Sequence, residues 1–511
     1  MFRKRISHSL ALLLFTMPVV IAVRSSAQGT NLTPVGSFDS HGDVGTVLHS
    51  GSTTYDPGTK TYTLAGSGEN MWFATDAFQF AWKKVSGDTS IAADITFVGL
   101  GGNPHRKAVL IFRQTLDPDS PYVDVALHGV GMTALQYRDR KGERTYDIEI
   151  DPPAPARLHL EKHGDAFILY LARGEGPLEP AGASIHVPIS GTYYVGIGVC
   201  AHDANVVERA VFSNVALTTN IAPSTPTKLV STLETVAIDS TDRRIVYVAP
   251  GHFEAPNWAR DGKTLLFNRE GHIERLPIAG GKPEVIETGF ATRCNNDHGI
   301  SPDGKLLAIS DESQGDHRSR VYILPIEGGT PRRITPNSPS YWHGWSPDGK
   351  TLAFVGERNQ DFDIYAISAT GGEESRLTTA KGLDDGPEYS PDGKYIYFNS
   401  ERTGSMQLWR MHPDGSEQEP ITSDEFNNWF PHISPDGKWM VYLTYEQGVS
   451  GHPANKEVML RLMSLSDMKV TVLAKLFGGQ GTINVPSWSP DSLHLAFVSY
   501  QLVSDQTLPS K

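Results

Sequence analysis

The chain has little cysteine and no apolar run long enough to span a membrane, and both absences narrow its class. Only Cys200 and Cys294 occur in 511 residues, which excludes a scaffold cross-linked by disulfides. The apolar stretch near the N-terminus, Leu10 to Val23, is shorter than the roughly 20 residues that a membrane-spanning helix needs. Because the two cysteines fall in different predicted domains, we expect two free thiols rather than a bridge.

Acidic residues outnumber basic residues, and few segments have the periodicity of a helix. Lys and Arg total 45 against 58 Asp and Glu, a formal net charge of −13. Such an acidic surface repels phosphate backbones, so nucleic acid is not expected as a partner. The 49 glycines and 34 prolines favour a turn-rich β protein. No Gly-x-Ser-x-Gly, Walker or His-Glu-x-x-His motif is present.

The first 27 residues have the pattern of a secretory signal peptide. Arg3, Lys4 and Arg5 precede the apolar stretch, and small residues at 25–27 precede Gln28. We therefore expect an exported mature chain, periplasmic or extracellular, with no transmembrane segment. No cysteine lies near the cleavage site, so a lipid anchor is not expected.

A repeated Ser-Pro-Asp-Gly string, with variants, organises the second half of the chain. The aspartates of its copies are Asp261, Asp303, Asp348, Asp392, Asp436 and Asp491, spaced by 42, 45, 44, 44 and 55 residues. An aromatic or apolar residue precedes most copies, and alternating strands such as 351–355 follow. Four short strands per repeat of about 44 residues indicate a propeller blade.

Six copies predict a six-bladed β-propeller over residues 229–502, with 503–511 as a tail. Only two strands remain after the sixth copy, so the strand-like segment 228–248 is expected to complete the last blade. The string W/Y-S-P-D-G-K-x-[LI]-x-[FY] resembles the propeller repeat of TolB-like periplasmic proteins. That resemblance implies the fold, but such propellers serve as docking platforms, peptidase-associated domains and polysaccharide-lyase scaffolds alike.

Residues 28–221 predict a β-sandwich with jelly-roll topology. Alternation appears at 91–97 and 122–127, and a hairpin is readable from Leu158 to Leu171 with its turn at Gly164-Asp165. The pattern resembles the concanavalin A-like (laminin G-like) domains of secreted carbohydrate-active proteins. Residues 222–228 form the linker. The predicted fold class is thus all-β: a sandwich followed by a propeller.

The polar chemistry of the propeller is predicted at the rim opposite the Ser-Pro-Asp-Gly turns. Residues just before each first strand and just after each second strand meet there, and they are rich in His, Arg, Trp, Asn and carboxylates. Such a ring suits a polar ligand. The predicted ligand-binding residues are His252, Glu254, Asn296, Asp297, Trp342, Glu357, Arg358, Asp385, Glu401, Arg402, Asn428, Trp429, His452, Gln480 and Asn484. The alternative is structural hydrogen bonding between loops, in which Glu357-Arg358 and Glu401-Arg402 only link neighbouring blades.

Three histidines at similar places in their blades are the candidates for catalysis. His298, His343 and His432 are predicted as general acid–base groups, with Arg293 as an electrostatic stabiliser. The same three histidines could bind a divalent metal, Mn or Ca. Oligogalacturonate lyases, which the chain resembles at the level of fold, use a related propeller with histidine ligands and a manganese ion. The alternative is that the three histidines hydrogen-bond neighbouring loops.

Two functions remain open at this point. The first is an exported carbohydrate-associated protein that binds a saccharide in the central funnel of the propeller. In one version of this function the protein also cleaves the saccharide, as a lyase or glycoside hydrolase. The second is a non-catalytic TolB-type propeller that docks a protein or peptide partner in the cell envelope. The rim's content of His, Arg and carboxylate favours a small polar ligand, whereas docking needs an exposed apolar patch.

Overall fold

The protein is built from β-strands throughout its described part. The computed structural model describes residues 33–99, 102–221, 228–240 and 242–503, and contains no helix within them. The all-β prediction is confirmed. Accordingly, no helix in those ranges is long and apolar enough to cross a lipid bilayer.

The N-terminal region contains sixteen strands. They are β1 (Ser40–Val44), β2 (Ser52–Asp56), β3 (Thr61–Gly68), β4 (Met71–Trp72), β5 (Thr75–Asp76), β6 (Phe78–Ser86), β7 (Thr89–Phe97), β8 (Lys107–Arg113), β9 (Tyr122–His128), β10 (Thr133–Arg138), β11 (Tyr146–Ile150), β12 (Arg157–His163), β13 (Ala166–Ala172), β14 (Glu179–His186), β15 (Thr192–Cys200) and β16 (Asp203–Thr219). The predicted hairpin is β12–β13, in which His163 pairs with Ala166 across the turn at Gly164-Asp165.

These strands form two large sheets around one core. One sheet has the order β14-β13-β12-β7-β16-β3-β2, and the other begins β1-β6-β15-β8-β9-β10-β11. Leu110 of the second sheet shares a hydrophobic cluster with Leu160 and Phe212 of the first. The alternating apolar residues of both sheets therefore pack against each other. The concanavalin A-like identity of this region stays a prediction.

The C-terminal region contains the remaining strands. They are β17 (Lys228–Ala237), β18 (Asp242–Pro250), β19 (Phe253–Trp258), β20 (Thr264–Arg269), β21 (His272–Pro277), β22 (Glu284–Val285), β23 (Cys294–Ile300), β24 (Leu306–Asp311), β25 (Arg320–Pro325), β26 (Arg332–Arg333), β27 (Ser340–Trp345), β28 (Thr351–Arg358), β29 (Asp361–Ser368), β30 (Ser375–Arg376), β31 (Asp384–Tyr389), β32 (Ile396–Ser400), β33 (Gln407–Met411), β34 (Glu419–Pro420), β35 (Asn427–Ile433), β36 (Trp439–Tyr445), β37 (Lys456–Ser464), β38 (Val470–Gly478) and β39 (His494–Val503). Strands β19 to β38 form five consecutive four-stranded antiparallel sheets, the blades of a β-propeller.

The Ser-Pro-Asp-Gly string forms the turn between the first and second strands of a blade. Ser346 Oγ donates a hydrogen bond to Asp348 Oδ1 at 2.7 Å, and the same carboxylate oxygen accepts from Lys350 N at 3.1 Å. Gly349 has φ +70°, a conformation that favours glycine. The string recurs because each residue type satisfies one requirement of this turn.

The sixth predicted blade does not form a separate sheet, so the six-blade prediction is corrected to five four-stranded blades. Strands β39, β17 and β18 pair in that order, but β18 also pairs in parallel with β11 of the N-terminal region. The free edge expected for an independent blade is thus occupied, and one ten-stranded sheet joins both regions.

Three predicted segments lie mostly or wholly outside the described residues, and the cysteine prediction can be compared with the structure. The signal peptide (1–27), most of the linker (222–228) and nearly all of the tail (503–511) lie outside the described residues. Cys200 and Cys294 are both buried free thiols, as expected.

Candidate functional site

Every four-stranded blade has a bulge in its first strand. The register against the second strand shifts between Cys294 and His298, between Trp342 and Gly344, and between Trp429 and His432, with equivalent shifts in β19 and β31. A bulge leaves a residue unpaired and re-aims its side chain. Asp297, His343 and Phe430 lie within these shifts.

Those bulged residues line a cavity of about 360 Å³ at the end of the propeller away from the Ser-Pro-Asp-Gly turns. We call this cavity the polar mouth. Its lining residues are Asn295, Asn296, Asp297, Tyr341, His343, Val355, Phe362, Leu383, Asp385, Phe430, His452, Gln480 and Asn484.

The centre of the polar mouth is a histidine between two carboxyl groups. His343 Nε2 lies 3.2 Å from Asp385 Oδ1 and 4.0 Å from Asp297 Oδ1, and all three side chains are largely buried. Burial lowers the pKa of His343, but Asp297 and Asp385 outweigh burial and raise it. Burial likewise opposes ionisation of Asp385, yet His343 and His452 hold its pKa below the usual value. We infer that His343 and Asp385 form an ion pair.

Two further carboxyl groups titrate near neutral pH. Burial raises the pKa of Asp297 to about 7, with His343 opposing this shift and Asp385 adding to it. Burial, reinforced by Asp297, raises the pKa of Glu254 to about 7. Carboxyl groups with shifted pKa values in a concave site are typical of functional sites. The site therefore holds hydrogen-bond acceptors, donors and a group able to exchange a proton at neutral pH.

The opposite wall is a hydrogen-bonded polar group beside an aromatic ring. His452 Nδ1 hydrogen-bonds Gln480 Oε1, which also accepts from Asn484 Nδ2 at 3.0 Å. The His452 ring lies 5.2 Å from the Phe430 ring, and Phe430 stacks at 6.2 Å on His343. The walls thus combine polar atoms with flat apolar faces.

The three histidines predicted as a metal site are not brought together. His298 Nδ1 lies 3.0 Å from Asn296 O, and burial lowers the pKa of His298 to about 4. His432 Nδ1 lies 2.6 Å from Glu388 Oε2. Within the described ranges, the only group of three or more carboxylate, His or Cys ligands within 4.8 Å contains none of them. This separation removes the geometric basis for a three-histidine metal site.

The predicted arginines and their glutamates also lie outside the polar mouth. Arg293 Nη1 contacts His317 Nδ1 at 2.8 Å in an exposed loop. Arg358 binds Glu374, and Arg402 binds Asp384 at 2.8 Å, each within one blade. Glu357 pairs with Arg318, and Glu401 accepts from Leu383 N. The structural alternative expected these pairs to link neighbouring blades, and only the Glu357–Arg318 pair does so.

Five other predicted residues do not line the polar mouth, among them Glu254. Trp342 and Trp429 are each 1% exposed and belong to hydrophobic clusters, so neither offers a stacking face. Asn428 is buried and donates to Asp424 Oδ1 at 2.9 Å. His252 is partly exposed and stacks on Tyr500 at 5.1 Å.

The polar mouth also contains residues that were not assigned a role from the sequence. Phe430, Tyr341, Phe362 and Asn295 are among its lining residues. Phe430 has φ +53°, a conformation uncommon for a bulky residue, and this bulge directs its ring into the cavity. The sequence contains a signal for this bulge: Phe430 precedes a proline at the same place in its blade as Ala255 and Gly386 do in theirs.

A second cavity of about 360 Å³ lies at the Ser-Pro-Asp-Gly end of the propeller. We call it the aromatic mouth. Its lining residues are Asn257, Trp258, Arg260, Ile300, Pro302, Trp342, Gly344, Trp345, Pro347, Glu388, Tyr389, Pro391, Ile433, Pro435, Pro486, Trp488 and Pro490. The indole nitrogens of Trp345 and Trp488 donate to the carbonyl groups of Gly299 and His432, which orients both rings.

Comparisons with known proteins concern mainly the propeller. A family model of the TolB β-propeller domain matches residues 339–506. An uncharacterised protein of Agrobacterium fabrum is 50% identical over 271 residues, which cover 53% of this chain and 92% of that protein. A solved TolB-like protein from Agrobacterium tumefaciens is 52% identical, with 54% of this chain and 99% of that one covered and a TM-score of 0.53. TolB from Acinetobacter baumannii is 18% identical, with 65% and 79% covered and a TM-score of 0.40.

Proposed function

The chain belongs to the TolB-like β-propeller family, and on that premise we propose that it is an exported binding protein whose polar mouth holds a neutral, hydroxyl-rich ligand of the saccharide class. The observation that carries the proposal is the buried Asp297–His343–Asp385 group at the centre of the cavity.

The polar mouth offers what a sugar needs for binding. Carboxylate oxygens of Asp385 and Asp297 can accept from hydroxyl groups, whereas His343 and Asn484 can donate to them. Phe430 and Tyr341 supply flat faces for the apolar side of a sugar ring. A cavity of about 360 Å³ falls at the small end of typical ligand sites, so we expect a mono- or disaccharide unit.

The charge of the site supports a neutral sugar rather than an acidic one. No Lys or Arg is among the described residues that line the polar mouth, while Asp297 and Asp385 both are. A uronate carboxylate would meet two carboxyl groups without a guanidinium partner, and like charges repel. The proposal therefore narrows the ligand to neutral or amino sugars.

A saccharide panel tests the proposal. The mature chain, residues 28–511, is mixed with neutral mono- and disaccharides, amino sugars and uronides, and binding is followed by calorimetry and thermal shift. We expect a neutral or amino sugar to bind and the matching uronide not to bind. Product analysis of the same mixtures reports any bond cleavage. Absence of binding across the panel, or preference for uronides, would contradict the proposal.

The aromatic mouth supports a second function, the docking of an apolar peptide segment. Exposed Pro347 and Pro391 stand beside Trp345 and Tyr389 there, and aromatic–proline surfaces are suited to extended peptides. Membership of the TolB-like family agrees with a propeller that serves as a docking platform.

A charge placed at the aromatic mouth tests this second function. Peptides selected from a displayed library by the wild-type protein should lose binding to Pro391→Glu and keep binding to Pro413→Glu. Pro413 occupies a similar His-Pro-Asp-Gly turn that does not line this cavity. Equal loss in both variants, or retention in both, would argue against docking at this mouth.

The proposal includes two finer points about the molecule. Residues 1–27 direct export. Fractionation of cells that express the full chain would test this, because the exported protein should lack the N-terminal segment. The unit β39-β17-β18, as part of the shared ten-stranded sheet, closes the ring of five blades; the bridge between Trp488 and Leu495 and the bond from Val498 N to Thr482 O at 3.1 Å support this.

A further inference from the structure

Four oxygen-bearing side chains stand opposite one another where the N-terminal region joins the propeller. Asp124 of β9 pairs with Gln136 of β10, Gln136 pairs with Asp147 of β11, and Asp147 pairs with Asp242 of β18. Directly opposed residues share one face of a sheet. The β11–β18 pair is the parallel contact that joins the two regions, and we call it the junction.

Three carboxylates converge at the junction. Oxygen atoms of Asp147, Glu149 and Asp242 all lie within 4.8 Å of one another. Ca²⁺ binds oxygen ligands at about 2.4 Å, so two ligands of one ion can lie up to about 4.8 Å apart. These separations are in the range expected for ligands of one calcium ion.

Buried acceptors beside these carboxylates have no hydrogen-bond partner. Asp147 is 3% exposed and Gln136 is 1% exposed, yet Asp147 Oδ1 and Gln136 Oε1 are both unpaired. Both oxygens of fully buried Asp124 are unpaired as well. A buried acceptor left unpaired costs free energy, and such groups require an explanation. A bound cation would satisfy the atoms nearest to it.

The charges around the junction also favour a bound cation. The carboxyl groups of Asp147, Glu149 and Asp242 face one another at the junction. Arg244 pairs with Asp151, and the nearby Lys107 is held by Asn70 and Met71. The carboxylates thus outnumber the cations that face them.

We propose that Asp147, Glu149 and Asp242 form a Ca²⁺ site that stabilises the junction. An all-oxygen ligand set favours a hard cation over zinc, which prefers His and Cys. Calcium accepts irregular geometry and several carboxylates, whereas Mg²⁺ requires near-ideal octahedral geometry at shorter distances. Asp242 is exposed, so an ion can enter from solvent.

Thermal unfolding of the full mature chain in calcium chloride or in EDTA tests the site, and the calcium ion itself is the probe. We expect calcium to raise the Tm of the wild type by about 3 °C or more. In Asp242→Asn and Asp147→Asn this increase should be lost. In EDTA the Asp147→Asn protein should melt above the wild type, because the buried member of three mutually repelling carboxyl groups is gone.

A matched control separates ion binding from general damage to the junction. Asp139 pairs with Lys475 at 2.6 Å across the same two regions, outside the carboxylate group. Asp139→Asn should lower the Tm equally in calcium and in EDTA. The inference is overturned if calcium leaves the wild-type Tm unchanged, or if Asp242→Asn keeps the full increase. Stabilisation by acidic pH without any effect of calcium would instead show that the carboxyl groups share a proton.

Discussion

The polar mouth and the aromatic mouth lie at opposite ends of the same first strands, yet they differ in chemistry. The aromatic mouth is formed by Ser-Pro-Asp-Gly repeats, so most repeats contribute a proline together with an aromatic residue or an isoleucine. The polar mouth is formed by bulged residues that differ from blade to blade, such as Asp297, His343 and Phe430. In a repeat protein, specific binding chemistry is therefore expected where the repeats diverge.

The two mouths also differ in how their polar atoms are satisfied. Indole nitrogens in the aromatic mouth donate to backbone carbonyl groups of neighbouring blades, which stabilises the ring of blades. The polar mouth is lined by ionisable side chains, and the pKa values of Asp297, which lines the cavity, and of Glu254 near it are raised to about 7. The aromatic mouth is therefore suited to stabilising the fold, whereas the polar mouth retains ionisable groups that can bind a ligand.

The largest expected effect is on stability at the aromatic mouth. Trp345 is 8% exposed and packs in a hydrophobic cluster, so Trp345→Ala should lower the free energy of unfolding by about 3 kcal/mol or more. Saccharide affinity at the polar mouth should stay within twofold of the wild type. Urea unfolding and calorimetry measure the two quantities. Phe290→Ala, at a 43% exposed ring, is the control and should cost little. Unchanged stability in Trp345→Ala would break the comparison.

A smaller effect is expected on ligand affinity at the polar mouth. Asp385→Asn removes the charged acceptor beside His343, and we expect affinity for the sugar found in the panel to fall by about 30-fold. The adjacent Asp384 pairs with Arg402 outside the cavity, so Asp384→Asn should lower stability but leave affinity unchanged. Isothermal calorimetry decides the outcome. Equal affinity losses in both variants would show that loop order, not the Asp385 carboxylate, governs binding.

Part of the pH dependence of stability should come from Asp297 and Glu254, in addition to Asp147 at the junction, where burial raises the pKa to about 9. Asp297 and Glu254 stay protonated in the folded protein to about pH 7, whereas unfolded carboxyl groups ionise near pH 4. The unfolded state thus releases protons first, and stability falls as the pH rises from about 4 to 7. The raised pKa of His343 extends this loss above its usual pKa.

We expect the wild type to lose about 2 kcal/mol of unfolding free energy between pH 5 and pH 8, and Asp297→Asn to lose clearly less. Urea unfolding across this range measures both proteins. A substitution at exposed Asp303, whose pKa is lowered by Ser301, should leave the slope between pH 5 and pH 8 unchanged. Identical slopes for Asp297→Asn and the wild type would place the titrating groups elsewhere.

The smallest expected effect concerns Arg293. Its guanidinium group faces His317 in an exposed loop rather than the cavity. Arg293→Ala should therefore change sugar affinity by less than twofold and stability by less than about 0.5 kcal/mol. Calorimetry on the sugar used for Asp385→Asn provides the comparison. A large loss of affinity would mean that the loop closes over the polar mouth when ligand binds.

Prediction from sequence succeeded where a residue's role is set by its immediate neighbours. The repeated turns, the strands that follow them and the two free cysteines needed no long-range information. Site prediction relied on strand alternation, and it located the rim that includes Asn296, His343 and Asp385. It misplaced Trp342 and Trp429, because a bulge shifts alternation by one residue and exchanges the faces of a strand.

The sequence by itself determined the turn chemistry, the repeat length and the all-β class, because each depends on φ preferences and alternation over a few residues. The tertiary structure decided which rim side chains converge, since that depends on bulges and on contacts between residues far apart in the chain. It also decided that β18 pairs with β11, which replaced an independent sixth blade by a shared sheet and brought Asp147 beside Asp242. Pairing across almost 100 residues leaves no local pattern in either strand.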